Sequence, residues 1–530
     1  MRNNLIFNNT YLELVENNIS NFSNKWDISQ IHNFLSCRCG IDAQIDLDII
    51  KPYTRDWSNI PGGYADLLVR PSSNEQCALL FAVSSFYKIP ITISAGQTNL
   101  TGSATPKGGI ILSTSKLNSP SPNVDIDQKI VKTSIGISLE DMRIEVLQQS
   151  QNTLYYPVDP TSRHDAYVGG TLSCNASGFI PGEKGATRYW VEEIELMLIN
   201  GYSLNIKRGD YISLDGFFNI QCGNQMIRFP VPKYERPKIK NASGPYSAIN
   251  QEVDFIDLII GSEGIFGMIL NCTFNLAKRP KEFLELFIRL KNENHAVSLY
   301  NYLYQYLNHD MGQITALEYF GYNCQNYMKH KDFLFKHESE VGVYLQIPIY
   351  KGSLENKTEL WAEILNAFDD SINLNHIIVL NDPINWKIFF EARHSIPDNA
   401  LTKTRQLGGI SIITDTIVPP DKFEMYLNKI HTKLQAENIE YLLFGHLGDC
   451  HLHFHLIPNK DQHKQSMEVY DYMIDLSSKM GGVYSAEHGT GKRKRNDFRK
   501  CYGNHAVETV QQAKLAVDPN LLLNKGNVVN

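Results

Sequence analysis

Long apolar runs are missing from this chain. The longest, Asp254 to Leu270, is interrupted by Asp257 and Glu263, whereas a membrane-spanning helix needs about 20 consecutive apolar residues. No transmembrane segment is expected, and only peripheral membrane contact stays open. An excess of positive charge is missing too: 50 Lys and Arg stand against 57 Asp and Glu, a formal net charge of -7, which argues against a nucleic-acid partner. The nine cysteines include no CxxC pair, and Cys37 and Cys39, the nearest two, fit neither a zinc knuckle nor a redox dithiol of the usual spacing. Their odd number, with an N-terminus lacking both the apolar core of a secretory signal and the Arg-rich character of a transit peptide, points to a reducing compartment. A cytoplasmic location follows as the expectation, at most peripheral at the inner face of a membrane. Internal repeats and low-complexity tracts are also absent.

What is there is an ordinary globular composition, 42% hydrophobic and 20% charged, over 530 residues, more than one compact core usually supports. Residues 1–60 are polar and Asn-rich and read as an N-terminal extension. From Ala65 the chain reads as an apolar strand, a helix start at Pro71-Ser-Ser with Glu75 placed as a capping-box acid, an amphipathic helix, and a β-branched strand ending in glycine. Composition changes again near residue 280. Residues 281–445 then read as a separate mixed α+β domain with strands such as Val341 to Tyr350, and 446–530 as a C-terminal segment with a helix from His463 to about Met480.

Three loops invite close approach of a ligand. Ala95 to Gly102 follows a strand with two glycines and small hydroxyl residues, whose backbone N–H groups suit a phosphate, although such loops are also plain turns. Gly169-Gly170 and Gly178 permit a flat group to lie against the backbone. Asp257 to Ile269 reads as a strand leading into a small-residue turn, Gly261-Ser-Glu-Gly264, with a tight loop between core strands as the alternative. A fourth stretch, Phe444 to Leu456, holds four histidines. Alternation puts His451, His453 and His455 on one strand face and Leu452 and Phe454 on the core face; His446, before the Gly448-Asp449 turn, must approach from elsewhere. On spacing alone these are a pair of metal ligands or a solvated histidine face.

PSSNEQC, SAGQTNLTGSATPKGG, DPTSR with VGGTLSCNASG, KGATRYWV, IDLIIGSEGIFG, FGHLGD with His453, SAEHGTGK and DPNLLLNKGN occur in this order. Together they resemble the FAD-linked oxidases with a p-cresol-methylhydroxylase-type FAD domain, from about Tyr53 to the C-terminus. Within that superfamily they are most similar to the branch of D-lactate dehydrogenases, glycolate oxidase flavin subunits and D-2-hydroxyglutarate dehydrogenases. The resemblance implies an α+β fold: a two-subdomain FAD-binding domain over 61–280, a mixed α+β substrate or cap domain with an antiparallel sheet over 281–445, and 446–530 completing the active site and packing on the FAD domain.

It also implies roles. Gly96, Gln97, Thr98, Asn99, Leu100, Thr101 and Gly102 would hold the FAD pyrophosphate, with Ala95 and Ser103 replacing frequent glycines and Asn99 standing where glycine or serine is usual. Asp159, Ser162, Gly169, Gly170, Asn175, Gly178, Glu263, Gly264, Ile269 and Asn524 would line the rest of a non-covalent FAD, since the loop holds no histidine. A divalent metal, Zn2+ first, would sit on His446, His453 and Glu487, with a position left for substrate. His488 would be the base, Arg393 would bind the substrate carboxylate, and His455 would be a surface or packing residue. Cys450 and His451 replace a Gly-Asn pair. His451 then becomes a substrate contact, an added ligand or a replacement without function, the substrate role being preferred. The run Lys492 to Arg495 reads as a solvated basic patch. The implied activity is FAD-dependent oxidation of a small D-2-hydroxy acid to the 2-oxo acid, the electrons passing to a quinone, cytochrome or electron-transfer flavoprotein. The alternatives are another reaction of the FAD family, on an alcohol, sugar, phenol or alkyl-dihydroxyacetone phosphate, or a flavin- or metal-binding module without catalysis.

Overall fold

Ser73 begins the first long helix: its side chain accepts from the Gln76 N–H, and the helix runs Asn74–Tyr87. The cap lies one residue later than Glu75 suggested, because Gln76, not Glu75, occupies the third helical position, where its side chain accepts from the Ser72 N–H. Such a cap contributes about 1 kcal/mol. In this computed structural model, which describes residues 4–249, 252–373 and 376–530, the helix joins the parallel strands Leu67–Arg70 and Ile91–Ser94 on either side of Ile110–Ser113. The loop from Ala95 leaves the carboxyl end of one of these strands, the usual ligand edge of a parallel sheet.

Asp42–Gln44 completes that sheet, antiparallel to Leu67–Arg70, and Asn4–Phe7 pairs in parallel with Phe217–Cys222. The extension expected over 1–60 is therefore corrected: apart from its first three residues, which lie outside the described residues, it supplies strands and core side chains such as Leu5, Phe7 and Phe34. Its polar composition misled because three- and four-residue strands carry too few apolar positions to set a period. A five-stranded sheet, in the order Ser203–Lys207, Val191–Met197, Met268–Asn275, Ile130–Ser134, Asn123–Asp125, is antiparallel throughout. The strand expected at Asp257 is also corrected. Phe255–Ile259 is a short helix capped by the Asp254 side chain, and its apolar run of four or five residues carries no period that separates the two.

The third sheet has seven strands and both faces covered. Leu284, Leu286, Ile288 and Leu290 point to one core with Leu299 and Leu303 of the helix Glu293–Tyr306. Phe287, Phe320 and Tyr344 point to the other, against Phe389, Ala392 and Ile396 of the helix Pro383–Gln406. Its strand His451–Leu456 pairs with Tyr441–His446, so a boundary at 446 would cut through a hairpin of this sheet. Beyond the helix His463–Lys479 the chain returns to the first core through Tyr484, Phe498, Val510 and Leu523. Residues Thr414 to Pro419 make only the bridge Ile417 to Val483, with a strand of two residues, Ile412–Ile413, before them.

Candidate active site

The histidines come together because a hairpin puts opposed residues on one face. His446 stands directly across from His451, and Phe444 across from His453; on the next strand Glu318 stands across from His446. His446 therefore comes from the same hairpin, not from elsewhere. All of His451–Leu456 is buried, so the imidazoles form no solvated face. Leu452, Phe454 and Leu456 fill the helix-covered core on one side, and the histidines share the other with Arg393.

His446 and His453 are each aimed by a hydrogen bond on the far nitrogen. His446 Nδ1 lies 2.7 Å from Glu318 Oε1, and His453 Nδ1 lies 2.9 Å from the Thr414 carbonyl. This leaves both Nε2 atoms facing Glu487, each 3.4 Å from one of its oxygens. Outer hydrogen bonds of this kind fix the ring and tautomer of a metal-ligating histidine. Burial works against the Glu318 charge, but His446 and Arg393 outweigh it and hold its carboxyl at about 2. Burial also works against the His446 proton, and Glu318 with Glu487 raises it to about 9. Glu487 is held well below the usual carboxylate range, burial being outweighed by Lys240 and His446; the Lys240 ammonium stands 3.1 Å from its Oε2.

His488 follows from the far side of the cavity, its ring parallel to that of His453 at 5.7 Å. Behind it lies Asp415, fully buried, which accepts from the Glu487 and His488 N–H groups, from Ser485 Oγ and from Lys494 Nζ, and stands 3.5 Å from His488 Nδ1. Asp415 thus orients the whole Ser485 to His488 turn. Lys494 and Lys492 are correspondingly internal. Lys494 is 4% exposed, and Lys492 Nζ bonds to Asn527 Oδ1 at 2.6 Å and to the Gly102 and Ser103 carbonyls. The expected solvated basic patch is corrected: two of its four cations anchor the turn to its neighbours.

The same cavity, about 530 Å³, is bounded on its other side by the Ala95 loop. All the residues proposed for the flavin line it except Thr101, Gly102 and Asn175. Asn175 ends the helix Val168–Cys174 in the left-handed region and accepts from the Arg188 N–H. Thr101 turns its carbonyl to the Lys492 and Arg493 N–H groups. Among the described residues the N–H groups of Gly96 to Leu100 donate to nothing within the chain, a run of free donors fitting an anionic group. The Asn99 side chain holds the loop open by accepting from Thr101 N, Thr101 Oγ1 and Ser103 N. Glu263 clasps the loop to the C-terminal turn, accepting from Thr490 and Gly491 N–H and from Ser103 Oγ.

Arg393 reaches the cavity from its helix, stacked 4.7 Å over Phe179 and 3.2 Å from Glu318 Oε2. His451 does not line the cavity and is fully buried, so the substrate contact preferred from its position in the sequence is not where the structure places it. His455 is buried as well, its Nε2 2.5 Å from Ser411 Oγ, a packing residue and not a surface one. Sequence reasoning missed Asp415, Glu318 and Lys240. Glu318 had a signal, a lone charge in the apolar strand Ala316–Phe320, since a buried charge needs a partner; Lys240 had none.

The chain's similarities bear on both sides of this cavity. Residues 65–207 match the family described as FAD binding domain, and residues 323–528 the C-terminal domain of FAD linked oxidases. A D-lactate dehydrogenase of Anaerostipes hadrus is 27% identical over 496 residues, 91% of this chain and 93% of that protein. A D-2-hydroxyglutarate dehydrogenase of Stutzerimonas stutzeri is 22% identical over 497 residues, 91% and 95% of the two chains. Among solved structures, p-cresol methylhydroxylase with substrate bound superposes with a TM-score of 0.65 at 14% identity, over 92% of this chain and 94% of that one. Alkyldihydroxyacetonephosphate synthase does so at 0.62 and 13%, over 91% and 82%. At those identities the structures speak for the fold alone.

Proposed function

The chain belongs to the FAD-linked oxidases, and from that premise we propose that it oxidises a small D-2-hydroxy acid to the 2-oxo acid. One observation carries this: a guanidinium, an imidazole with a carboxylate behind it, and a two-histidine, one-carboxylate cluster face the cavity that the free N–H groups of Gly96 to Leu100 also line. The domain division follows in corrected form, with residues 4–280 and 481–530 around the flavin side and 281–480 around the substrate side. The solved neighbours share the fold, so fold alone does not separate this reading from the phenol or alkyl-dihydroxyacetone-phosphate chemistry of other oxidases. The cluster favours the hydroxy acid.

When bound, the flavin supplies a two-electron acceptor, and a divalent cation, Zn2+ in the simplest case, supplies a Lewis acid. The loop N–H groups would hold the flavin's phosphates; His446, His453 and Glu487 would hold the cation. Arg393 pairs with the substrate carboxylate in a planar, two-point contact while Glu318 and Phe179 fix its guanidinium. His488 Nε2 takes the hydroxyl proton as the α-hydrogen departs, with Asp415 stabilising the imidazolium from the Nδ1 side.

Substrate charge is set by the same lining. Arg393 carries the only guanidinium or ammonium in that lining, among the described residues, beside the imidazoles of His394, His446, His453 and His488, and Glu318 stands 3.2 Å from it. A second substrate carboxylate has no guanidinium or ammonium to meet, so a monocarboxylate such as D-lactate is favoured over D-2-hydroxyglutarate. The acceptor that reoxidises the flavin is a quinone, a cytochrome or an electron-transfer flavoprotein. No helix among the described residues is long and apolar enough to cross a membrane; our reading is a cytoplasmic chain, peripheral at the inner face of a membrane where its acceptor is membrane-bound.

Anaerobic titration of the flavin band with D- and L-lactate, glycolate and D-2-hydroxyglutarate, before and after chelation, tests the reading. Bleaching by D-lactate at far lower concentration than by the dicarboxylate, and its loss on chelation, is expected. Bleaching by none of the acids, or bleaching indifferent to the chelator, would sink it.

A further inference from the structure

His451 has no hydrogen-bond partner on either ring nitrogen although its side chain is fully buried. An imidazole buried without partners costs on the order of 1–3 kcal/mol, and buried polar groups left in this way call for an unaccounted partner. Asp415 Oδ1 lies 3.2 Å from Nε2 without making a hydrogen bond with it, and Nδ1 has no partner either. The substrate is not that partner, since the ring does not border the cavity.

A cation in the cluster that His451 itself joins would be. One donor atom from each of His446, His451, His453 and Glu487 falls within 4.8 Å of all the others. Donors about 2.1 Å from a shared ion stand roughly 3.4 Å apart in a tetrahedron, and about 3.0 Å (adjacent) to 4.2 Å (opposite) apart in an octahedron. The Glu487 oxygens already stand 3.4 Å from His446 and His453, and no other separation in the set exceeds 4.8 Å. The hairpin supplies the geometry: His451 is cross-strand neighbour to His446 and two residues from His453, all three on one face.

We infer that His451 is a fourth protein ligand, so that the ion in this chain is held by three imidazoles and one carboxylate. The inference rests on the metal reading above and adds to it. Four protein ligands close a tetrahedral zinc site. To keep a position for the hydroxy acid the ion must be five- or six-coordinate, which favours a metal at ease with that number, manganese, iron or cobalt, over zinc.

Cobalt(II) is the probe. The purified flavoprotein, stripped with chelator and reloaded with one equivalent, is measured by X-ray absorption, which counts imidazoles at the metal, and by the intensity of its d–d bands, which are weak for five or six ligands and strong for four. The expected result is three imidazoles and weak bands in the wild type, two imidazoles in His451→Asn, and cobalt affinity lower by about tenfold or more in that variant. Two imidazoles in the wild type would overturn the assignment while leaving the two-histidine site standing; failure to bind cobalt stoichiometrically would overturn both. The wild-type spectrum decides even where the variant does not fold.

Discussion

The two walls of the cavity are built from different material. The Ala95 loop offers main-chain N–H groups, five in a row without partners, and its side chains serve mainly to hold that loop in shape, Asn99 bridging to Thr101 and Ser103. The sheet face opposite and the C-terminal turn beside it offer side chains, each aimed by a group behind it: Glu318 behind His446, the Thr414 carbonyl behind His453, Asp415 behind His488. A wall made of backbone absorbs a change of residue such as Asn99 for glycine, because the donors stay where they were. A wall made of side chains registers each change directly, as at His451.

Glu487→Gln is the sharpest test of that difference. The amide keeps the shape but loses the charge that faces two imidazoles and Lys240. Turnover is expected to fall by about 10³-fold or more, with flavin content unchanged in the purified protein. Flavin lost together with turnover would mean that the two walls are one unit and the contrast is false.

A second test reads the charge directly. Glu318 is held at about 2 against an ordinary 4.5. A carboxyl lowered in the folded state contributes stability that is complete above its unfolded value and lost as pH falls through the folded one. On the order of 3 kcal/mol is thus expected to disappear between about pH 4.5 and 2. His446, raised to about 9, keeps its proton in both states throughout that window and does not blur it. In metal-free protein, the unfolding free energy of Glu318→Gln should fall less steeply with acid than that of the wild type over this range, measured by denaturant titration. Parallel curves would show that Glu318 is not held by its partners.

How much of this could be read from the sequence follows the same division. The Ala95 loop was legible, since a β-branched strand ending in Ala-Gly and followed by small hydroxyl residues is a local signal. So was the common face of His451 and His453, which needs only alternation. The partner of His446 was not: Glu318 is 128 residues away, and strand order within a seven-stranded sheet has no local signature. Asp415 sits in an irregular stretch with no period of its own, and that backbone lets one carboxylate reach the Glu487 and His488 N–H groups at once. The burial of Lys492 and Lys494 was hidden for a related reason. A basic run looks solvated until carbonyls and a carboxylate from distant segments fold over it.

The smallest effect concerns the seam between the walls. Gly491 sits at φ +52°, and a Cβ there would meet the Thr101 carbonyl oxygen at 2.2 Å, a backbone atom that has no side-chain rotamer to yield. Its N–H also donates to Glu263, so the Ala95 loop, the Gly261 to Gly264 turn and the C-terminal turn meet at this residue. Gly491→Ala must move the loop or adopt a left-handed backbone with a side chain, at about 1–3 kcal/mol. The expected outcome is a melting temperature lowered by a few degrees and flavin that dissociates on gel filtration, because the displaced segment is the one carrying the free N–H groups. The three histidines of the cluster lie on the sheet hairpin, and Glu487 is held by Asp415 and Lys240 rather than by the Ala95 loop, so cobalt should still bind to the purified variant with its wild-type stoichiometry. Loss of cobalt with retention of flavin would reverse the assignment of rigid and adjustable walls.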